Sequence, residues 1–153
     1  MVSGLKLFDL NGKTALITGS SQGIGYALAK GLADAGSDII LNGRNTEKLK
    51  QSAEAINTKQ NIFQLCFDVT NYEQTKRSID KFEKDIKPID ILINNAGMQF
   101  RTPLEDFPPE MFEQLLKTNI SSVFNVSQVV AKYMIKRGEG KIINIASVQT
   151  ALA

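Results

Sequence analysis

The sequence contains no histidine, and Cys66 is its only cysteine. Without histidine a Ser-His-Asp catalytic triad cannot be assembled, so a reactive serine would need a different partner. With one cysteine, neither an intrachain disulfide nor a cysteine-based metal cluster can form, which favours a reducing compartment. We predict no metal site, and the neighbours of Cys66 predict that it lies in the core.

Long hydrophobic runs and a strong charge bias are also missing. No apolar segment is long enough for a membrane span, and the N-terminal residues lack the hydrophobic stretch of a signal peptide. The formal net charge is +2, from 18 basic and 16 acidic residues without a basic cluster, so a nucleic-acid partner is not expected. Together these absences predict a cytoplasmic protein without a nucleic-acid or membrane partner.

Short β-branched runs alternate with longer helical patterns along the 153 residues, of which 42% are hydrophobic. The alternation is typical of βαβ units on a parallel sheet, and the length is that of one domain. We predict strands at 14–18, 38–41, 62–67, 89–94 and 141–146, and helices at 23–35, 46–57, 72–86 and 109–136. The expected fold is α/β, a doubly wound parallel sheet of Rossmann type that ends after its fifth strand.

A glycine-rich segment, TGSSQGIG, joins the first predicted strand to the first predicted helix. Glycines there permit a tight turn and let the backbone approach a pyrophosphate, whose charge is met by the helix N-terminus. The alternative is that they are ordinary turn glycines of a crossover loop. The candidate cofactor-binding residues in this segment are Thr18, Gly19, Ser21, Gln22, Gly23, Ile24 and Gly25.

The ends of the second and third strands carry the next candidate cofactor contacts. An NAD-selective site would have Asp or Glu after the second strand, whereas this chain has LNGRN, with Asn42 neutral and Arg44 cationic. A 2′-phosphate would be favoured there, so we predict NADP, with NAD possible, although Arg44 is alternatively a solvated loop residue. Asp68 and Val69 follow the third strand. Asp68 accepts a hydrogen bond from the adenine amino group, or alternatively Asp68 or Thr70 caps the next helix.

Five motifs occur in order along the chain: Thr18 to Gly25, Asp68, the NNAG segment at Asn94 to Gly97, Asn119 and Ser147. In this arrangement the sequence resembles the short-chain dehydrogenase/reductase family. The resemblance implies that Asn94 to Gly97 shape the carboxyl edge of the sheet beside the nicotinamide ribose, with Asn95, Ala96 and Gly97 as cofactor contacts. It also implies that Asn119 bends the long helix and holds a proton-relay water, and that Ser147 hydrogen-bonds the substrate oxygen as a catalytic residue.

Three segments, LNGRN, NAGMQFRTPLEDFP and INIASVQTALA, most resemble the gluconate 5-dehydrogenases of that family. This resemblance implies reversible hydride transfer between a nicotinamide and a sugar acid, with the 3-oxoacyl reductases as the near alternative. Arg101 and Gln149 are the candidate substrate contacts, since the Arg101 guanidinium suits a carboxylate, although it is alternatively a surface charge. Complete family members are expected to be homotetramers, an assembly that we do not extend to this chain.

The base of the family is a tyrosine paired with a lysine in a Y-x-x-x-K motif about a dozen residues after the serine. The sequence ends at Ala153, before that position. We therefore expect the 153-residue chain by itself to be catalytically incomplete, and a dinucleotide-binding fragment without activity is the alternative function. Three upstream pairs match or nearly match the motif, but their positions argue against a catalytic role: Tyr26 with Lys30, Tyr72 with Lys76, and Tyr133 with Lys136.

Overall fold

A computed structural model describes residues 8–147. Its five strands are β1 (Thr14–Ile17), β2 (Asp38–Gly43), β3 (Ile62–Cys66), β4 (Ile91–Asn94) and β5 (Lys141–Asn144). They form one sheet in the order β3-β2-β1-β4-β5, and every pairing is parallel. The predicted parallel sheet is confirmed, and the strand positions agree with the sequence pattern to within a few residues.

Five α-helices connect the strands: α1 (Gly23–Asp34), α2 (Thr46–Ala55), α3 (Tyr72–Asp85), α4 (Pro109–Leu116) and α5 (Ser122–Arg137). A short 3₁₀ turn, Leu104–Asp106, precedes α4. The predicted helix 109–136 is not one α-helix, because a π-helical turn at Lys117–Ser121 separates α4 from α5. Apolar periodicity does not distinguish a π turn from an α turn, so the sequence pattern did not reveal the interruption.

The helices cover both faces of the sheet and bury a separate apolar cluster on each. On one face, Leu16 and Ile40 of the sheet pack with Ile79 and Phe82 of α3 and with Val130 of α5. The other face contributes Ala15, Ile17 and Ile39 to a cluster with residues of α1 and α2, such as Ala29 and Leu49. Because β1 and β2 are buried on both sides, each contains a continuous run of three apolar residues rather than an alternating pattern.

The two sheet edges are less well covered than its centre. Every residue of β5 is exposed to solvent, and Ile142 and Ile143 are 39% and 48% exposed. At the opposite edge Cys66, the last residue of β3, is also exposed, so the prediction of a core cysteine is wrong. An edge strand has one unpaired side, and its apolar sequence therefore does not guarantee burial.

An apolar stripe faces solvent along α4, the π turn and the start of α5. It consists of Phe112, Leu116, Ile120 and Phe124, which are between 45% and 64% exposed and recur every fourth residue. That spacing places the four side chains along one face of the helical segment.

Within residues 8–147, no helix is both long and apolar enough to cross a membrane.

Candidate functional site

A cleft of about 700 Å³ opens at the carboxyl edge of the sheet. It lies where the strand order reverses, with β1 paired to β2 on one side and to β4 on the other. Open α/β sheets bind ligands at such switch points. The predicted cofactor residues that line the cleft are Gly19, Ser21, Gln22, Gly23, Asn42, Arg44, Asp68, Val69, Asn95, Ala96 and Gly97.

Gly19, in the loop after β1, and Gly25, in the first turn of α1, occupy positions that exclude a larger side chain. Gly19 has a φ of +63°, and a Cβ there would lie 2.9 Å from the Cα of Ala96. At Gly25 a Cβ would meet the carbonyl oxygen of Gly19 at 2.6 Å and the side chain of Asn95 at 2.5 Å. The loop therefore packs directly against the segment after β4, and this close approach explains why glycine is present.

Thr18 ties the glycine-rich loop to the NNAG segment and lies beneath the cleft rather than lining it. Its hydroxyl oxygen accepts hydrogen bonds from the backbone N–H groups of Asn95 at 2.9 Å and Ala96 at 3.0 Å. In return, the Asn95 side chain donates to the Thr18 carbonyl at 2.9 Å. Ile24, which follows on α1, is 68% exposed and also lies outside the cleft lining.

The N-terminus of α1 differs from those of α2 and α3. Asn45 and Asn71 cap α2 and α3 by accepting from the backbone N–H groups of Lys48 and Gln74 at 2.9 and 3.0 Å. Gln22, at the corresponding position of α1, makes no capping side-chain hydrogen bond, and the first turn contains no acidic residue. The N-terminal N–H groups and the positive end of the helix dipole are thus directed to a cleft that suits an anion.

The rim of the cleft beyond β2 carries a cation. Arg44 is 80% exposed, and its Nη1 lies 4.0 Å from Oδ2 of Asp68 across the opening. Ion pairs this exposed contribute little to stability, so either group is available to a ligand at small cost. No carboxylate lies at the end of β2, because Asn42 and Gly43 complete that strand.

Asp68 follows β3 and adopts a local turn rather than capping a helix. Its Oδ1 accepts from the backbone N–H and from the hydroxyl of Thr70, both at 2.8 Å. Because Asn71 is the residue that caps α3, the alternative capping role for Asp68 or Thr70 is wrong. Its other oxygen, Oδ2, faces Arg44 at the cleft, where the sequence reasoning placed an adenine contact.

Asn119 lies within the π turn and holds that turn against the loop after β4. Its Oδ1 accepts from the Met98 N–H at 2.9 Å, and its Nδ2 donates to the Met98 carbonyl at 3.0 Å. Both ends of the Asn119 amide therefore bond the backbone of one residue, Met98, and connect the π turn to the loop after β4. The π turn interrupts the long helix at the residue that the family resemblance had implied would bend it.

The remaining predicted site residues lie nearer β5 and the loop after β4. Ser147 is exposed three residues beyond the end of β5. Arg101 is exposed as well, and with the Gln99 amide oriented to accept, Nε and Nη2 of Arg101 donate to its oxygen at 3.3 and 3.0 Å. Gln149 lies outside the described residues.

Two of the upstream tyrosines have structural partners. The Tyr133 hydroxyl donates to Oδ1 of Asp80 at 2.8 Å, and burial, together with this bond and the charge of Asp80, raises its pKa from 10.0 to about 12. Lys76 donates to the other oxygen of Asp80 at 2.8 Å, and Tyr72 donates to Gln128 at 3.0 Å. A raised pKa is the opposite of what a catalytic phenolate needs.

Several residues of the cleft wall were not predicted from the sequence. They come from the end of β2, the turn after β3, the loop after β4, and the α4–π segment: Gly43, Phe67, Thr70, Met98, Gln114, Lys117 and Thr118. Gly43 and Phe67 adjoin predicted residues, so proximity alone would have indicated them. The residues of α4 and the π turn had no such signal, since the direction of their side chains depends on where the π turn occurs.

Among the described residues, no group of three or more His, Cys, Asp or Glu side chains could hold a metal ion.

A family model described as short chain dehydrogenase matches residues 13–153. The chain belongs to the short-chain dehydrogenase family. The gluconate 5-dehydrogenase of Gluconobacter oxydans is 49% identical over 150 residues, which cover 96% of this chain and 58% of that protein. The 5-keto-D-gluconate 5-reductase of Escherichia coli K12 is 42% identical over 148 residues, covering 95% of this chain and 58% of its own length.

Among solved structures, a gluconate 5-dehydrogenase from Burkholderia cenocepacia in complex with NADP and tartrate superposes with a TM-score of 0.94 at 48% identity. The alignment covers 99% of this chain and 60% of that one. The chain thus spans about three fifths of the length of the relatives it matches. Its fold and its similarity to gluconate 5-dehydrogenases agree with the sequence expectation.

Proposed function

We propose that the chain forms the dinucleotide-binding domain of an NADP-dependent oxidoreductase that interconverts a sugar acid and its keto acid, as gluconate and 5-ketogluconate are interconverted. The observation that carries the proposal is the cleft at the switch point, with the exposed cation Arg44 at its rim and no carboxylate at the end of β2. The names of the relatives from Gluconobacter oxydans and Escherichia coli support the substrate class. The structure from Burkholderia cenocepacia, which contains NADP and tartrate, supports both the cofactor and a hydroxy-acid ligand.

The residues present fit a dinucleotide phosphate. The close packing at Gly19 and Gly25 brings backbone to the cleft floor, and the N-terminus of α1 lacks a side-chain cap. In the proposal these groups hold the pyrophosphate, Arg44 pairs with the 2′-phosphate, and Asp68 accepts from the adenine amino group. When bound, the nicotinamide supplies the hydride acceptor or donor.

The substrate roles rest on the family resemblance. Ser147 would donate a hydrogen bond to the reacting oxygen of the substrate, and Arg101 would pair with its carboxylate. Asn119 would keep the π turn in place and so fix the loop that carries Arg101, since its amide is bonded to Met98. The upstream tyrosines have structural partners or positions remote from this role, so we expect no proton-accepting phenolate among the 153 residues and no turnover by this chain alone.

The cofactor assignment is tested with Arg44→Asp. We expect the wild-type chain to bind NADP⁺ saturably and more tightly than NAD⁺, measured by isothermal titration calorimetry. Loss of a charge-assisted contact should weaken NADP⁺ binding roughly 10- to 100-fold while NAD⁺ affinity stays the same or improves. Lys132→Asp, a charge reversal at an exposed position of α5, serves as the matched control.

An unchanged preference in Arg44→Asp would remove Arg44 from the site, and absence of binding to the wild-type chain would contradict the proposed function. Activity is assayed in parallel with NADPH and 5-ketogluconate. Oxidation of NADPH by the chain would show that one of its own groups acts as the acid or base, against the expectation of an incomplete site.

A further inference from the structure

Asn42, the residue before the last in β2, has its side chain directed into the fold. It is 1% exposed. Its Oδ1 accepts from the Gly19 N–H at 3.3 Å, whereas its Nδ2 donates to the carbonyl oxygens of Leu65 at 3.0 Å and Phe67 at 3.2 Å. One amide therefore connects the glycine-rich loop after β1 to the end of β3, from a position on the strand between them.

The backbone of Asn42 adds a second set of bonds to the same loop. Its N–H donates to the Ser20 hydroxyl and its carbonyl accepts from the Ser20 N–H, each at 2.9 Å. The Ser20 hydroxyl in turn donates to the Ile17 carbonyl at 2.7 Å. Ser20 is fully buried, so Asn42 and Ser20 together fix the loop to the sheet from below the cleft.

These contacts require an amide with a donating and an accepting end. Two carbonyl oxygens face Nδ2, and one N–H group faces Oδ1, so the side chain has only one satisfactory orientation. Aspartate would place an oxygen opposite the carbonyls of Leu65 and Phe67, and leucine would leave all three backbone groups without that partner. Buried polar groups without hydrogen-bond partners lower the stability of the fold. Here the loss would destabilise the glycine-rich loop and the turn that carries Asp68.

We propose that Asn42 is a positioning residue for the nucleotide cleft, which fixes the glycine-rich loop against the end of β3 and does not itself recognise the ribose. The proposal deepens the NADP-binding function proposed above and rests on it. In the sequence, the neutral residues Asn42 and Gly43 stand where NAD-selective sites carry a ribose-binding carboxylate. In the structure its amide is already engaged, so discrimination between NADP and NAD is left to the rim of the cleft, where Arg44 lies.

A positioning residue affects the affinity for both dinucleotides but not the preference for NADP⁺ over NAD⁺. A loop that is held in its binding conformation for less of the time binds every dinucleotide less tightly by the same factor. Asn42→Leu should therefore weaken NADP⁺ and NAD⁺ alike, by about tenfold, and leave their ratio within about twofold. Asn42→Asp should not improve NAD⁺ binding, although it introduces the carboxylate found in NAD-selective sites. Arg44→Asp should give the converse result, a changed ratio.

The experiment measures dissociation constants of NADP⁺ and NAD⁺ for the wild-type chain, Asn42→Leu, Asn42→Asp and the control Asn57→Leu at an exposed position, with circular dichroism to verify folding. Tighter NAD⁺ binding by Asn42→Asp, or a ratio changed tenfold in Asn42→Leu, would overturn the proposal by showing that residue 42 faces the ribose. Wild-type constants equal to those of Asn42→Leu would overturn it as well.

A second measurement uses the wild-type chain and does not depend on the folding of the variants. In ¹⁵N NMR spectra the two Nδ2 protons of Asn42 should exchange slowly with water, and addition of NADP⁺ should leave them protected. Rapid exchange would overturn the proposed positioning role of Asn42 even if the cofactor binds. If the wild-type chain bound neither dinucleotide, the proposed function would fail, and slow exchange of these protons would still establish the contact from Asn42 to β3.

Discussion

Asp80 accepts hydrogen bonds from two side chains that resemble parts of a catalytic motif. Burial raises the pKa of Asp80, but the bonds from Lys76 and Tyr133 and the charge of Lys76 outweigh it, so the pKa lies below its ordinary value. Tyr133, on α5, and Lys76, on α3, meet at this carboxylate. The cluster thus joins two helices on one face of the sheet, which is a structural role.

Tyr133 provides a test of that role with a defined pH dependence. Its folded-state pKa of about 12 lies above the ordinary value of 10.0, so the neutral phenol stabilises the fold. This contribution is complete below pH 10 and is lost as pH rises through the folded-state pKa. Tyr133→Phe should lower the free energy of unfolding at pH 7 by about 1 kcal/mol in urea titrations, with Tyr26→Phe as control.

Absorbance titration of the same proteins would locate the ionisation directly. The phenolate signal that disappears in Tyr133→Phe should have its midpoint well above that of a free tyrosine. A midpoint near or below pH 10 would contradict the structural role.

Residue patterns predicted part of the candidate site, and the reason differs from residue to residue. Gly19 and Gly25 were predicted because close backbone approach demands glycine, and Arg44 because charge at a strand end has a recognisable use. The direction of the Asn42 side chain was not predictable, because β2 is buried throughout and no alternation indicates which way each residue points. The prediction that Cys66 is buried was wrong for a related reason, since the sequence of an apolar edge strand resembles that of a buried strand.

At the scale of elements, the helix N-termini divide into capped and uncapped ends. Asn45 and Asn71 cap α2 and α3, although the sequence interpretation had considered only Asp68 and Thr70 as a cap. Gln22 has no such role, which leaves the first turn of α1 to a ligand. For the π turn the only indication was the family resemblance, which implied that Asn119 bends the long helix. The bridge between Asn119 and Met98 joins residues 21 apart and follows no local sequence pattern.

Substitution at the caps should separate stabilising from ligand-binding N-termini. Asn71→Ala removes the bond to Gln74 and should lower the free energy of unfolding by about 1 kcal/mol, measured by urea titration. Gln22→Ala, the matched change at α1, should alter stability by only a few tenths of a kcal/mol. A comparable loss of stability at both positions would mean that Gln22 caps α1 and that this helix end is not open to an anion.

At the scale of the whole molecule, two apolar surfaces face solvent in the described chain. One is the stripe of Phe112, Leu116, Ile120 and Phe124, and the other is the β5 edge with Ile142 and Ile143. Exposed surfaces of this kind promote association. The alternating pattern of strands and helices predicted the fold and strand positions, but the exposure of these surfaces depends on which segments pack beside them.

We expect the 153-residue chain to self-associate through these surfaces as its concentration rises. Phe124→Glu should shift the association to higher protein concentration in sedimentation velocity experiments, because it places a charge within the stripe. Phe8→Glu, at a residue that is 74% exposed but outside the stripe, is the matched control. A wild-type chain that stays monomeric at all concentrations, or an equal effect of both substitutions, would contradict this prediction.

The strand order also determines when the cleft can form during folding. Gly19 and Asn42, which join the glycine-rich loop to β2, are 23 residues apart, whereas Thr18 and Asn95, which join that loop to the segment after β4, are 77 residues apart. Closing the longer loop costs more entropy, and contacts at such separation form slowly. The half of the cleft formed by β1, β2 and β3 can therefore assemble first, and the other half waits until β4 has been synthesised and docked beside β1.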